Sequence, residues 1–226
     1  LEHIIEIKKK KPKLFISSNL VLRTHPFFKN LIKNKKKLKN IYYLEGDYNY
    51  GRLDKLTSGW RGKIKNYSVI LGGGIHLLDL ILKIKKKKVK EIFTMSNKMI
   101  TKKYKNKVDD FAVSLLKFED HSIAKISSNF SSPTDHHHIF NLYSQSNSFS
   151  YKRDKSEKCF REKDNKKMIE VKYDYNNKIK AEMLKNFLKT VRKKIKLIIS
   201  EKELFFLMKI GLMLVKSQIN KKIIKI

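Results

Sequence analysis

The sequence predicts an α+β protein: a large, mostly antiparallel open sheet with helices on one face. Two observations predict it. The hydrophobic period becomes two from Val89 onward and is helical again from Ile179, and no Gly/Ser linker or internal repeat divides the 226 residues. A hydrophobic share of 41% also suffices to fill the core of a chain this long.

The first element is a helix in which Leu1, Ile4 and Ile5 share a face. It breaks at Pro12 before a short apolar run, Leu14 to Ile16, that reads as a strand. A second helix starts at His25-Pro26, with Pro26 near its first position and Phe27, Phe28, Leu31 and Ile32 as the buried stripe. Ile41 to Tyr50, rich in aromatic and β-branched residues, reads as a strand. After a loop carrying Gly59, Trp60, Arg61 and Gly62, an apolar helix runs from about Val69 to Ile84. Strands follow at 89–99, 110–118, 122–130, 138–144, 147–152 and 167–175, as a meander. In the turn at Glu119-Asp120-His121-Ser122, His121 stands where glycine would tolerate positive φ better. Ile179 to Lys194 and Ser200 to Ser217 read as helices, the second opened by a capping box of Ser200 and Glu203, and a short strand at Ile223 to Ile226 ends the chain.

A net charge of +32 would ordinarily point to nucleic acid or an anionic membrane. Only six of the 53 cationic side chains are arginine, however, and the bidentate readout of phosphates and bases leans on arginine. Lysine on solvated faces, accompanied by abundant Ile and Asn, is what A/T-rich codons give where any soluble residue serves. Neither a nucleic-acid nor a membrane partner is expected. The longest apolar run, Leu204 to Val215, is too short for the roughly 20 residues of a bilayer span. The single Cys159 can form no intrachain disulfide, so a cytoplasmic location is the expectation. Residue 1 is Leu, which leads us to expect a chain that starts partway into a longer protein.

The chemically informative stretch is Gly72-Gly73-Gly74-Ile75-His76-Leu77-Leu78-Asp79. Glycines let a backbone or ligand come close, and helical spacing of three puts His76 and Asp79 on one face. An imidazole beside a carboxylate is a candidate proton-transfer pair; a buried, hydrogen-bonded histidine is the alternative. In Asp135-His136-His137-His138, strand alternation lets at most His136 and His138 share a site, and no partner stands at metal-ligand spacing, so no metal is expected.

Ser17-Ser18-Asn19, Arg23-Thr24-His25-Pro26, Glu45-Gly46-Asp47-Tyr48, Gly59-Trp60-Arg61, the glycine triplet through Asp79, and Asp110-Phe111 occur in an order that resembles the glucose-fructose oxidoreductase/inositol dehydrogenase/MocA family. The resemblance implies an N-terminal Rossmann domain holding NAD or NADP, of which residues 1–22 would be the last helix and strand, and a C-terminal substrate-binding and oligomerisation domain over residues 23–226. It implies hydride transfer between nicotinamide and a sugar, sugar nucleotide or inositol, with a homo-oligomer formed through the open sheet. His76 matches the family's acid/base histidine, and Asp79 an acidic residue that orients it or contacts substrate hydroxyls. Arg23 is expected to face the cleft between domains, where it and Trp60 would serve substrate and cofactor. The Trp60 indole would cover a sugar or nicotinamide face, or else pack its loop. Arg61 would hold a carboxylate or phosphate, with Asn19, Tyr48 and Tyr50 as weaker candidates and a histidine of the 136–138 run lining the cleft. Many members carry aspartate where this chain has Gly72. The family's glycine-rich phosphate loop and glutamate-lysine-proline motif are expected upstream of Leu1, so the chain alone is expected to be inactive. The competing reading is a non-catalytic sugar-binding or oligomerisation module.

Overall fold

A computed structural model describes residues 1–226 except 65–66, 106–107, 153–154, 163–164, 171–177 and 194. Helix α1 spans Glu2–Lys10 and α2 Pro26–Asn34, where the His25 side chain accepts the Phe27 N–H and Pro26 supplies the preset φ of a first turn. Between them Leu14 to Ile16, expected as a strand, pairs with no other described segment. An apolar triplet extends into a strand only where a neighbour offers a hydrogen-bond ladder.

Strand β1 (Tyr43–Asn49) precedes the short helix α3 (Leu53–Thr57), a 3-10 turn at Trp60–Lys63, and a π-turn at Ile70–Gly74 that runs into α4 (Ile75–Lys85). Strands β2 (Val89–Asn97), β3 (Phe111–Phe118), β4 (Ile123–Asn129), β5 (His137–Tyr143), β6 (Asn147–Lys152), β7 (Lys155–Glu162) and β8 (Asn165–Glu170) follow. Helices α5 (Lys178–Lys193) and α6 (Glu201–Asn220) and a two-residue strand β9 (Ile224–Lys225) complete the order. The predicted turn at His121 forms with φ 62°, and the Ser200–Glu203 capping box is present. Residues 171–175 of the last expected meander strand lie outside the described residues.

The strands make one nine-stranded sheet in the order β8-β7-β6-β5-β1-β4-β3-β2-β9. Every pairing is antiparallel except β1 with β4. The plain meander is thus interrupted, because β1 enters its middle. Along β1 exposure alternates, and Leu44, Gly46 and Tyr48 turn inward to the helical layer. There α4, apolar almost all round, packs on β1 and β4 and touches α2 and α6. Leu44, Leu77, Leu78, Leu80, Ile81, Phe28 and Phe140 lie in this core with essentially no exposure. Gly46 admits α4 to the sheet, since a Cβ there would lie 3.0 Å from that of Leu77.

Candidate functional site

The site is built at the C-terminal end of β1, under the first turn of α4. Tyr48 is registered between Ser128 of β4 and His138 of β5, so three inward side chains stand in a row across the sheet. Gly51 ends the strand at φ 58°, with the Thr134 carbonyl where a Cβ would be, and so brings the loop before His136 against β1. The rings of His136 and His138 each lie 5.1 Å from Tyr48 and 5.0 Å from one another. Tyr50 extends the cluster, 5.8 Å from Tyr48 and 4.7 Å from Phe130.

His76 closes the cluster from above. The Ile75 N–H bonds back to Ile70, five residues earlier, which makes the glycine triplet a π-turn, a form concentrated at functional sites. The bare Gly73 backbone rests on Tyr48, whose ring would lie 2.4 Å from a Cβ there. His76 then stacks nearly parallel to Tyr48, at 6.1 Å and 13°. Burial pushes its pKa below the usual 6.5, so the ring is neutral at neutral pH. His76 Nδ1, His136 Nε2, Ser128 Oγ and Ser131 Oγ are buried with no hydrogen-bond partner among the described residues. Leaving such atoms unpaired costs about 1–3 kcal/mol each, and the grouping of His76, His136 and Ser128 about Tyr48 fits a polar ligand. Burial also pushes His136 down to about 4 and His138 to about 3, with the charge of Arg52 adding to the effect on His136. Among the described residues no His, Cys, Asp or Glu group is arranged to hold a metal.

The expected His76–Asp79 pair does not form. Asp79 turns away into the core and accepts both Arg23 Nη2 at 2.6 Å and Nε at 2.8 Å. Arg23, expected in the cleft, is 6% exposed. Its remaining nitrogen meets Glu203 at 3.1 Å, and Lys83 meets the same carboxylate. With both guanidinium and carboxylate consumed, this pair ties α4 to the turn before α2 and to α6, and neither residue contacts the aromatic cluster. Although burial opposes it, contact with Lys83, Arg23 and the Ser200 N–H holds Glu203 down at about 2.

Trp60 and Arg61 do reach the cluster. Trp60 is 61% exposed, edge-on to Tyr67, so it does not pack its loop as a core residue would. Arg61 lies 4.5 Å over the indole and donates from Nε to the Tyr67 hydroxyl at 3.1 Å. Asn19 lies elsewhere, along a groove of about 520 Å³ that Ser17, Ser18, Met183 and Leu184 help to line. Sequence reasoning missed Tyr67, Arg52, Phe130 and Ser128. The one available signal was the pairing of arginine with aromatic residues in a chain otherwise rich in lysine.

The family profile of the GFO/IDH/MocA C-terminal domain matches residues 29–150. Levoglucosan dehydrogenase in complex with NADH and L-sorbose superposes with a TM-score of 0.81 at 13% identity, over 96% of this chain and 67% of that one. UDP-N-acetylglucosamine 3-dehydrogenase from Acidithiobacillus ferrooxidans gives 0.75 at 14%, over 96% and 66%. An oxidoreductase domain protein from Kribbella flavida gives 0.77 at 11%, over 92% and 66%. The chain thus spans about two thirds of the length of these structures, and at such identities the likeness is one of fold. No curated protein matches the chain by sequence.

Proposed function

Since the chain belongs to the GFO/IDH/MocA family of oxidoreductases, we propose that it forms the substrate-binding part of an NAD(P)-dependent enzyme that moves a hydride between nicotinamide and a sugar, sugar nucleotide or inositol. One observation carries the reading: the imidazole of His76, neutral and with an Nδ1 that has no partner among the described residues, stands on a π-turn above an aromatic and histidine cluster. NAD or NADP, when bound, supplies the hydride acceptor or donor. The residues present suit such a group: the exposed indole of Trp60 offers an aromatic surface for the nicotinamide, and His76 Nδ1 is a polar atom with no partner among the described residues.

The chain's own residues do the remaining work. A hydroxyl gives up hydride from its carbon only as its proton leaves, so a base must stand at the oxygen. His76 takes that proton in oxidation and returns it in reduction. Tyr48, 5% exposed and protonated through the neutral range because burial pushes its pKa up, fixes the plane of the imidazole by stacking and keeps water from its face. Arg23 and Asp79 act at a distance, by holding α4 in place.

In the full-length protein, His76→Ala is expected to lower kcat by about 10²–10⁴-fold while leaving NAD(P) affinity within a few fold, as loss of a general base does. The acid limb of kcat/KM in the parent should fall below pH 6.5, because protonation of a histidine with a depressed pKa removes the base. An unchanged rate in His76→Ala, measured with sugar and cofactor saturating, would remove the assignment.

A homo-oligomer through the open sheet is the second part of the proposal. On the face away from the helices Met95, Leu115 and Ile123 are exposed by 60%, 46% and 45%, next to a Lys125, Glu45 and Asp47 ion cluster. An apolar patch rimmed by charge suits a protein interface. Light scattering of a Met95→Glu/Leu115→Glu variant should report a lower mass than the parent; equal masses would exclude this face.

A further inference from the structure

Arginine is scarce in this chain, yet two of its six stand together at the mouth of the cluster. The guanidinium carbons of Arg52 and Arg61 lie 5.4 and 5.6 Å from the centroid of one ring, Tyr50. Among the described residues neither meets a carboxylate, whereas Arg23 meets two. Two like charges drawn to one aromatic ring repel each other. Their field extends into the cluster, where Arg52 bears on His136 and both bear on Tyr48.

Arg61 is also held in a fixed attitude. A Cβ on Gly72 would lie 1.9 Å from the Tyr67 hydroxyl, so the absence of a side chain at 72 is what lets that phenol sit on the π-turn. From there its oxygen accepts the Nε–H of Arg61, while Trp60 lies 4.5 Å beneath the guanidinium. A planar guanidinium that spends Nε on a neighbour and one face on an indole keeps the edge formed by its two terminal nitrogens. That edge matches two oxygens of a carboxylate or phosphate.

We propose that Arg61, supported by Arg52 and positioned by Tyr67, receives an oxyanion on the substrate, so that the enzyme acts on an acidic or phosphorylated sugar in preference to a neutral one. This rests on the function proposed above for the same site, and it narrows the substrate class. The anion brings the charge that the two arginines lack, and its capture on this rim places the ring of the sugar toward His76.

The test is equilibrium binding by calorimetry to the full-length protein, with D-glucose, D-glucuronate, D-glucose 6-phosphate, UDP-glucose and NADP as separate probes. At least one anionic sugar should bind about tenfold or more tighter than glucose, and Arg61→Met should erase that preference, as loss of a charge-assisted bidentate contact does. Preference for glucuronate identifies a carboxylate, and preference for either phosphorylated probe a phosphate. Tyr67→Phe, which keeps the ring contacts, should weaken the anionic probe alone, an effect that a merely structural role for the phenol would not have. Arg61→Lys should restore only part of the preference. Should Arg61→Met not fold, the exposed Arg52→Met gives the same reading at smaller amplitude. Equal binding of neutral and anionic sugars, no anionic binding at all, or anionic binding indifferent to both arginines overturns the proposal. So does a loss confined to NADP, which would assign the arginines to the cofactor. Anionic binding that depends on Arg61 in a protein without NAD(P)-linked turnover would sink the proposed reaction and leave this site standing.

Discussion

The separate fates of His76 and Asp79 show how one helix serves two purposes. Three residues on an α-helix differ by about 60° in direction, enough for one side chain to meet the aromatic cluster while the other enters the core. Spacing alone made the two a plausible pair; what decided against it was Arg23, 56 residues earlier in the chain and invisible to any local pattern. The Arg23–Asp79 pair is almost fully buried, with side chains 4% and 2% exposed. Removing the Asp79 charge leaves the buried guanidinium of Arg23 with Glu203 as its one remaining carboxylate among the described residues, and Glu203 is shared with Lys83. Asp79→Asn is therefore expected to destabilise the fold by about 3–5 kcal/mol in urea denaturation, with a smaller loss in an Arg23→Met/Asp79→Leu double variant, because replacing both ends leaves no orphaned charge. A single-variant loss below about 1 kcal/mol would show the pair to be solvated.

At the scale of elements, what could be read was what periodicity carries. Helix α2 announced itself through Pro26 and its phenylalanine stripe, and α6 through the Ser200–Glu203 box, whose carboxylate also receives Arg23 and Lys83. Strand β1 was legible as a strand from the aromatic and β-branched content of Ile41 to Tyr50, but not its insertion between β4 and β5, since pairing partners leave no trace in a single strand's composition. Strand β7 was missed because Lys-Ser-Glu-Lys-Cys-Phe-Arg-Glu shows no apolar alternation. The glycine triplet was read as permission for close approach, and that holds. What approaches is aromatic: Tyr67 at Gly72 and Tyr48 at Gly73. A single element thus recruits the phenol that holds Arg61 and the ring that orients His76. No local pattern indicates which distant side chains occupy that space.

For the whole molecule, the concentration of buried histidine has a consequence for stability. Burial pushes His25 and His136 down to about 4 and His138 to about 3, against 6.5 for a free imidazole. Such a ring binds its proton more weakly in the folded protein than in the unfolded chain. Between pH 6.5 and about 4 the unfolded chain therefore takes up more protons, and stability falls as pH falls. Each tenfold loss of proton affinity is worth roughly 1.4 kcal/mol, so three such groups are a substantial share of a typical domain's stability. The carboxylates of Asp120 and Glu203, held near 2 by their lysine partners against the effect of burial, release their contribution only at much lower pH. A net charge of +32 makes each further proton harder to accommodate, and constant salt is needed to keep that contribution fixed. The urea midpoint at constant ionic strength should thus drop steeply from about pH 6.5 to about pH 4, and a His138→Phe variant should flatten that slope. A midpoint unchanged down to pH 4, then falling as carboxylates titrate, would mean that these histidines reach water in the folded protein, and the dry cluster on which His76 stacks would not exist.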